Sequence, residues 1–281
     1  MTERGPERRA RTWSAPIELP SGVEPIGPPG GFADRLAELG VELEPGEAEA
    51  LARYAGLLLA ANRAVNLTAV RTADELWLGH LADALALLPV LASTDQDAAE
   101  SGRGPTLIDV GSGGGLPGLV LAIVRPDAEV TLLDATAKKC RFLEHAAREL
   151  GLGNVSVVHA RAESAGQRRG VRADRGGVAH REGGLRGVFD VVTARAVGRL
   201  ATLAELTVPF ARVGGLIALV KGARAGEELD EAKGALHLLH AGHAGTVETP
   251  TGRIVVLEKR RETPKGYPRA DGVPKREPLG V

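Results

Sequence analysis

Cysteine is almost missing from this chain: Cys140 is the one such residue among 281. An internal disulfide is therefore excluded, and so is a cysteine-rich zinc site. With no CxxC and no Pro-Cys pair around it, Cys140 reads as structural. Net charge is nearly absent too, since 36 acidic side chains offset 35 Lys and Arg to leave −1. Whole-chain charge thus announces no nucleic-acid binder, and local clusters must carry that argument. No apolar run approaches the roughly 20 residues of a membrane span, so no membrane partner is expected. The polar start of the chain leads into no apolar core, so a signal peptide is not expected either. A cytoplasmic location follows most simply. No internal repeat is visible. What remains is ordinary globular composition, 43% hydrophobic and 25% charged. The length suffices for one large domain plus a small one.

Against these absences one stretch stands out, Ile108-Asp109-Val110-Gly111-Ser112-Gly113-Gly114-Gly115-Leu116-Pro117-Gly118. Thr106 to Val110 predicts a short buried strand, and Leu119 to Val124 an apolar helix. Strand, glycine turn and helix make the first half of a nucleotide-type βαβ unit. The next strand, Glu129 to Leu133, ends in Asp134, 19 positions beyond Gly115. Such folds bind ribose hydroxyls at about that place. Two ligand classes fit. Gly113-x-Gly115-x-x-Gly118 matches the dinucleotide fingerprint, whereas Asp109-x-Gly111-x-Gly113-x-Gly115 matches the pattern of S-adenosylmethionine enzymes. A carboxylate at Asp109 would repel a pyrophosphate on this turn. S-adenosylmethionine brings an ammonium and a sulfonium and no phosphate, so the charge favours the methyl donor. The bland alternative is a tight turn with no ligand.

Residues 1–30 are rich in Pro, Gly and Arg and read as a disordered extension. Residues 31–100 read as a helical region and linker. Phe32 to Leu39 and Pro45 to Asn62 predict helices, the second with Leu51, Tyr54, Leu58 and Ala61 on one face. Asn66-Leu67-Thr68 is a polar break. Thr72-x-x-Glu75 is a capping box for a third helix, on which His80 and Asp83 share a side. Ser93 to Gly104 reads as the linker. Residues 101–281 form the α/β domain. Thr136 to Leu150 predicts a helix and Val155 to His159 the third strand. The stretch 164–187 reads as a disordered basic insertion, with six arginines from Arg168 to Arg186. Phe189 to Ala196 predicts the fourth strand. Leu200 to Ala211 predicts a helix, and Gly214-Gly215 turns into a strand from Leu216 to Val220. Glu227 to Leu239 is a helix, and Val247 with Arg253 to Glu258 looks like a closing hairpin. The tail at 259–281 sets seven basic residues around Tyr267, a pattern that suits phosphate contact with base stacking.

Taken together these residues resemble the 16S ribosomal RNA guanine-N7 methyltransferase family RsmG, also called glucose-inhibited division protein B. The resemblance rests on Asn62 with Asn66-Leu67-Thr68, His80-Leu81-Ala82-Asp83, Asp109-Val110-Gly111 through Gly118, and Leu132-Leu133-Asp134. It continues through Lys139-x-Arg141-Phe142-Leu143, Ala162-Glu163, Ala194-Arg195-Ala196, Lys221-Gly222 and Lys265-Gly266-Tyr267-Pro268-Arg269, and so covers roughly residues 35 to 277. The first thirty residues and the Arg-rich insertion depart from the family's compact form. The resemblance implies a Rossmann-like class I methyltransferase, a seven-stranded sheet with helices on both faces, behind a small helical N-terminal region. It implies S-adenosyl-L-methionine as donor, S-adenosyl-L-homocysteine as product, and no metal. Matching donor positions are Gly111, Leu116, Ala162, Glu163 and Arg195. Physical reasoning adds Gly113 and the ribose acceptor Asp134, with backbone amides near Gly111 and Leu116 holding the methionine end. RNA contacts are expected from Asn66, His80, Arg195, Lys221, Lys265 and Arg269. The implied partner is 16S rRNA, in the small ribosomal subunit or its assembly intermediate, with the protein a monomer.

The missing motifs bear on mechanism. No Asn/Asp-Pro-Pro-Tyr is present, as in enzymes that methylate exocyclic amines, and no Pro-Cys nucleophile, as in those that methylate pyrimidine carbon. Guanine N7 offers a lone pair and no proton, so catalysis needs alignment and no general base. Three other readings stay open on the residues alone: an NAD-type oxidoreductase, a small-molecule methyltransferase, and a ribosome-binding module with a vestigial donor site.

Overall fold

The computed structural model describes residues 18–95, 104–167, 184–195 and 198–280. The first seventeen residues, most of the expected linker and the middle of the Arg-rich insertion lie outside the described residues.

Among the described residues, seven strands form one sheet: β1 (Thr106–Val110), β2 (Glu129–Asp134), β3 (Val155–His159), β4 (Phe189–Arg195), β5 (Ala211–Lys221), β6 (Ala241–Thr249) and β7 (Gly252–Lys259). Their order is β3-β2-β1-β4-β5-β7-β6. The first five are parallel, and β7 enters antiparallel between β5 and β6. This is the expected Rossmann-like sheet of a class I methyltransferase. Strand order reverses between β1 and β4. In open α/β sheets the crevice beyond the carboxyl ends at that point is where ligands bind.

Every residue of β1 is buried, because helices cover both faces. Side chains alternate across the sheet. Leu107, Leu132 and Val191 join one core, and Ile108, Leu133 and Val192 join the other. The first core takes α1 (Phe32–Glu38), α2 (Glu47–Val65), α3 (Ala82–Leu85), α4 (Leu88–Ala92), α5 (Gly118–Val124) and α6 (Ala137–Glu149). The second takes α7 (Ala162–Ala165), α8 (Leu200–Thr207), α9 (Ala225–Glu231) and α10 (Lys233–Leu239). The short α11 (Val273–Arg276) lies near the end of the chain.

Several expectations need correction. Residues 18–30 are extended and docked. Ile26 donates to the Ala52 carbonyl at 3.0 Å and accepts from Trp77 Nε1 at 3.0 Å, and Pro20 O accepts from His145 Nε2 at 2.8 Å. Leu19, Val23 and Ile26 pack on the core without periodicity, so no pattern marked them. The third helix contains a π-helical turn, Glu75–Leu81, which runs into α3. The helical stretch Glu75–Ala92 is long and apolar enough to cross a membrane by length and composition. Here it is a core element, with Leu76, Trp77, Leu81, Leu85 and Leu87 fully buried. Gly214-Gly215 lies inside β5, opposite a register shift in β4, and the helix expected over 227–239 breaks at Ala232. The tail is folded: Lys259 ends β7 fully buried and donates to Ala211 O at 2.7 Å. Burial lowers its pKa to about 8.

Candidate active site

At the carboxyl ends of β1 to β4 lies a cavity of about 680 Å³. Its floor is Val110 of β1 with Gly111 just after it, and Leu133-Asp134 from β2. Ala162 and Glu163 of α7, Ala194 of β4 and Thr202 of α8 form its sides. Gly272, Lys275 and Arg276, near the end of the chain, complete the wall.

The glycine loop is fixed from below. Asp109 is fully buried, and its carboxylate accepts from Gly118 N–H at 3.0 Å and from the Thr193 hydroxyl at 3.3 Å. Burial raises its pKa to about 7. A Cβ on Gly118 would lie 2.3 Å from Leu132 Cδ2 and 2.8 Å from Asp109 Oδ2, so only glycine fits there. Asp109 therefore supports the loop and does not line the cavity. Five successive or near-successive loop amides have acceptors. Gly111 and Ser112 donate to Leu133 O at 2.7 and 3.1 Å, and Gly115 and Leu116 donate to Ser112 O at 2.7 and 3.3 Å. Gly113 donates to Asp134 Oδ2 at 3.0 Å. The expected grip of the Gly111 and Leu116 amides on a ligand is thus corrected: both already have acceptors. A pyrophosphate would need those amides, which argues against a dinucleotide. What the loop presents is bare backbone. Gly111 has φ +80°, and nothing lies within 4 Å of where its Cβ would be. A ligand can therefore approach the chain closely at that point.

Asp134 is buried at the end of β2, and its Oδ1 accepts from Thr136 N–H at 2.8 Å. Lys139 Nζ stands 4.0 Å from Oδ2. Two backbone amides thus aim the carboxylate, and each oxygen keeps a second lone pair. Glu163 is also buried, but its Oε1 accepts from Gly272 N–H at 2.8 Å.

A second cluster lies on the other face. Ala194 points into the cavity side, so its neighbour Arg195 points away, towards the N-terminal helices. There Arg195 Nη2 contacts His80 Nδ1 and stands 3.4 Å from Asp83 Oδ2. His80 and Asp83 do share a side, and Arg195 joins them. Asp83 is fully buried and accepts from Thr251 N–H at 3.2 Å and from the Thr251 hydroxyl. Burial lowers the Arg195 pKa to about 10 and raises that of Asp83. Tyr54 of α2 reaches from the same side and donates to Gly114 O at 2.8 Å. Asn62 holds the turn after α2, accepting from Leu67 and Thr68 N–H at 2.7 and 3.0 Å. Asn66 itself is exposed in that turn, at φ 52°. A Cβ on Gly113 would lie 3.6 Å from Leu67 O, so the turn sits against the glycine loop.

Two residues expected to meet RNA have other partners. Lys221 is buried; its Nζ pairs with Glu228 at 2.8 Å and donates to Gly198 O. Arg269 forms a forked pair with the fully buried Glu205, with Nε–Oε1 at 2.9 Å and Nη2–Oε2 at 2.7 Å. Lys265 is exposed. Arg186, expected in a disordered insertion, bonds four backbone carbonyls instead. Among the described residues, no group of three His, Cys, Asp or Glu side chains comes together to hold a metal.

The family described as GidB, rRNA small subunit methyltransferase G, matches residues 47–253. A protein of Sorangium cellulosum named ribosomal RNA small subunit methyltransferase G is 49% identical over 90% of this chain and 97% of its own. One of the same name from Streptococcus thermophilus is 38% identical over 89% of this chain and 99% of its own. A crystal structure of the antibiotic-resistance methyltransferase Kmr superimposes with a TM-score of 0.42 at 18% identity, over 60% of this chain and 92% of that one.

Proposed function

The chain belongs to the GidB family of rRNA small subunit methyltransferases, and from that premise we propose that it methylates N7 of one guanine in 16S ribosomal RNA. The donor is S-adenosylmethionine. The protein acts as a monomer in the cytoplasm, on the small ribosomal subunit or its assembly intermediate. One observation carries the donor site: the cavity at the switch point between β1 and β4 is floored by Gly111 and Asp134. The residues fit the donor, because Gly111 leaves open space for close approach and offers no free amide nest to an anion.

When bound, S-adenosylmethionine supplies an electrophilic methyl group on a sulfonium. Asp134 would accept from the ribose hydroxyls, and its two amide bonds fix the direction of its carboxylate. Ala162 and Glu163 border the adenine. Arg195, held by His80 and Asp83 on the face of β4 turned away from the cavity, would offer its positive charge to an RNA phosphate. The exposed side chains of Asn66, Lys265, Lys275 and Arg276 are available to RNA. Guanine N7 has no proton to lose, so the protein aligns two reactants and needs no base. His80 then positions Arg195 and takes no proton.

The test is methyl transfer from labelled donor to small ribosomal subunits from cells lacking this protein. The product should undergo strand scission at one guanine after reduction and aniline treatment. The single-turnover rate should stay flat between about pH 6.5 and 8.5, where a catalytic His would titrate. A product that resists scission, or a rate rising tenfold per pH unit, would move the acceptor to an exocyclic amine or a ribose hydroxyl.

A further inference from the structure

We propose that Arg186 is a positioning residue for donor binding, because it staples the carboxyl-terminal segment in place as a wall of the donor cavity. The segment follows β7. It brings Gly272, Lys275, Arg276 and Pro278 to the cavity, whose other lining residues come from β1, β2, β4, α7 and α8 and the turns beside them.

One guanidinium makes the attachment. Nη1 of Arg186 donates to Gly166 O at 2.9 Å, just after α7, and to Tyr267 O at 2.6 Å. Nη2 donates to Thr263 O at 2.6 Å and to Pro264 O at 3.2 Å. The planar fork thus joins α7 to three carbonyls of the segment, a geometry that a lysine ammonium cannot copy. Further contacts set the height of the wall. Ser164 donates to Asp271 Oδ1 at 2.9 Å, and the Thr202 hydroxyl donates to Pro274 O at 3.1 Å. Gly272 N–H is held by Glu163, itself a lining residue. Donor affinity therefore depends on the fraction of molecules with the segment docked, since an undocked cavity lacks a wall. The chemical step, once donor is bound, does not depend on Arg186.

This inference rests on the cavity being the donor site. Calorimetry with S-adenosylhomocysteine on the full chain tests both. The wild type should bind, and Arg186→Ala should bind about tenfold more weakly, with Arg186→Lys between. Ser164→Ala, an exposed change outside the cavity lining, should weaken binding about threefold, the scale of one lost hydrogen bond. For all three variants, kcat at saturating donor should match the wild type while KM for donor rises. Hydrogen exchange of residues 263–279 should quicken in Arg186→Ala, and saturating S-adenosylhomocysteine should slow it again. Exchange in β1 and β4 should not change. Wild type that binds no S-adenosylhomocysteine would overturn the donor reading. Wild type that binds, with Arg186→Ala equal in affinity or equal in segment exchange, would overturn the staple alone.

Discussion

Two regions border the same cavity and are held there by opposite means. The glycine loop is fixed mainly by close backbone packing, with the Asp109 and Asp134 carboxylates taking the Gly118 and Gly113 amides. Its amides find acceptors within the loop and in β2, and Gly118 fits against Leu132 and Asp109 with no space for a Cβ. The carboxyl-terminal segment is fixed by side chains from elsewhere: Arg186, Glu163, Thr202 and the Glu205 carboxylate under Arg269. A backbone fixed sterically fails all at once when an atom is added. A segment held by several polar contacts loosens one contact at a time. The loop is therefore built as a rigid floor, and the segment as a wall whose docking can be tuned.

The sharpest way to break the floor is Gly118→Val. Its added atoms meet Leu132 at a separation no side chain tolerates and displace the Asp109 bond. A loss of roughly 3 kcal/mol or more in urea-induced unfolding is expected. A stable, donor-binding variant would mean that the loop yields easily, and the contrast would collapse.

Next in size is Arg269→Ala. It leaves the Glu205 carboxylate, with no exposed surface, without its forked partner. Losing one member of such a pair costs about 3 kcal/mol, although some relaxation is expected because Arg269 is itself partly exposed. Adding Glu205→Leu should restore most of the loss, since the unpaired charge is then gone. If the single variant melts at the wild-type temperature, the wall does not depend on this pair.

The smallest effect is a pH dependence belonging to the floor. Asp109 has a folded-state pKa raised to about 7 by burial, above its unfolded value. The folded state thus holds the proton more tightly, so the Asp109 contribution is full below its unfolded pKa of about 4, is lost as pH rises from there to about 7, and levels off above. Between pH 6 and 8 the fall attributable to Asp109 is about 1 kcal/mol. Asp109→Asn should flatten that slope in unfolding curves measured across the range. An equal slope in both proteins would assign the titration elsewhere.

The same contrast governs what the amino-acid sequence made legible. The floor was readable because its causes are local. Glycines cluster where the chain turns, a strand precedes them, and an acid ends the following strand. The hairpin of β6 and β7 was visible in the same way. The wall was not readable, because a sequence displays a charge without its partner. Arg186 is one arginine among six in a basic stretch, and nothing nearby says that it faces carbonyls of residues 263–267. Lys221 and Arg269 looked like RNA contacts for the same reason, yet Glu228 and Glu205 hold them. Residues 18–30 escaped notice because an extended segment buries side chains without a helical or alternating period.

Tyr54 of α2 bonds the carbonyl of Gly114, and the turn carrying Asn66 rests on Gly113. The helical region and the glycine loop therefore share a mechanical joint a few atoms wide. A ligand that gripped the turn and shifted α2 would act on the carbonyl of Gly114 through the Tyr54 hydroxyl. Donor affinity would change with it. Thermodynamic linkage then requires the donor to change the affinity of that ligand by the same factor. A nucleic acid seated on the Asn66 turn and a donor in the cavity would each register the other's arrival through one phenol.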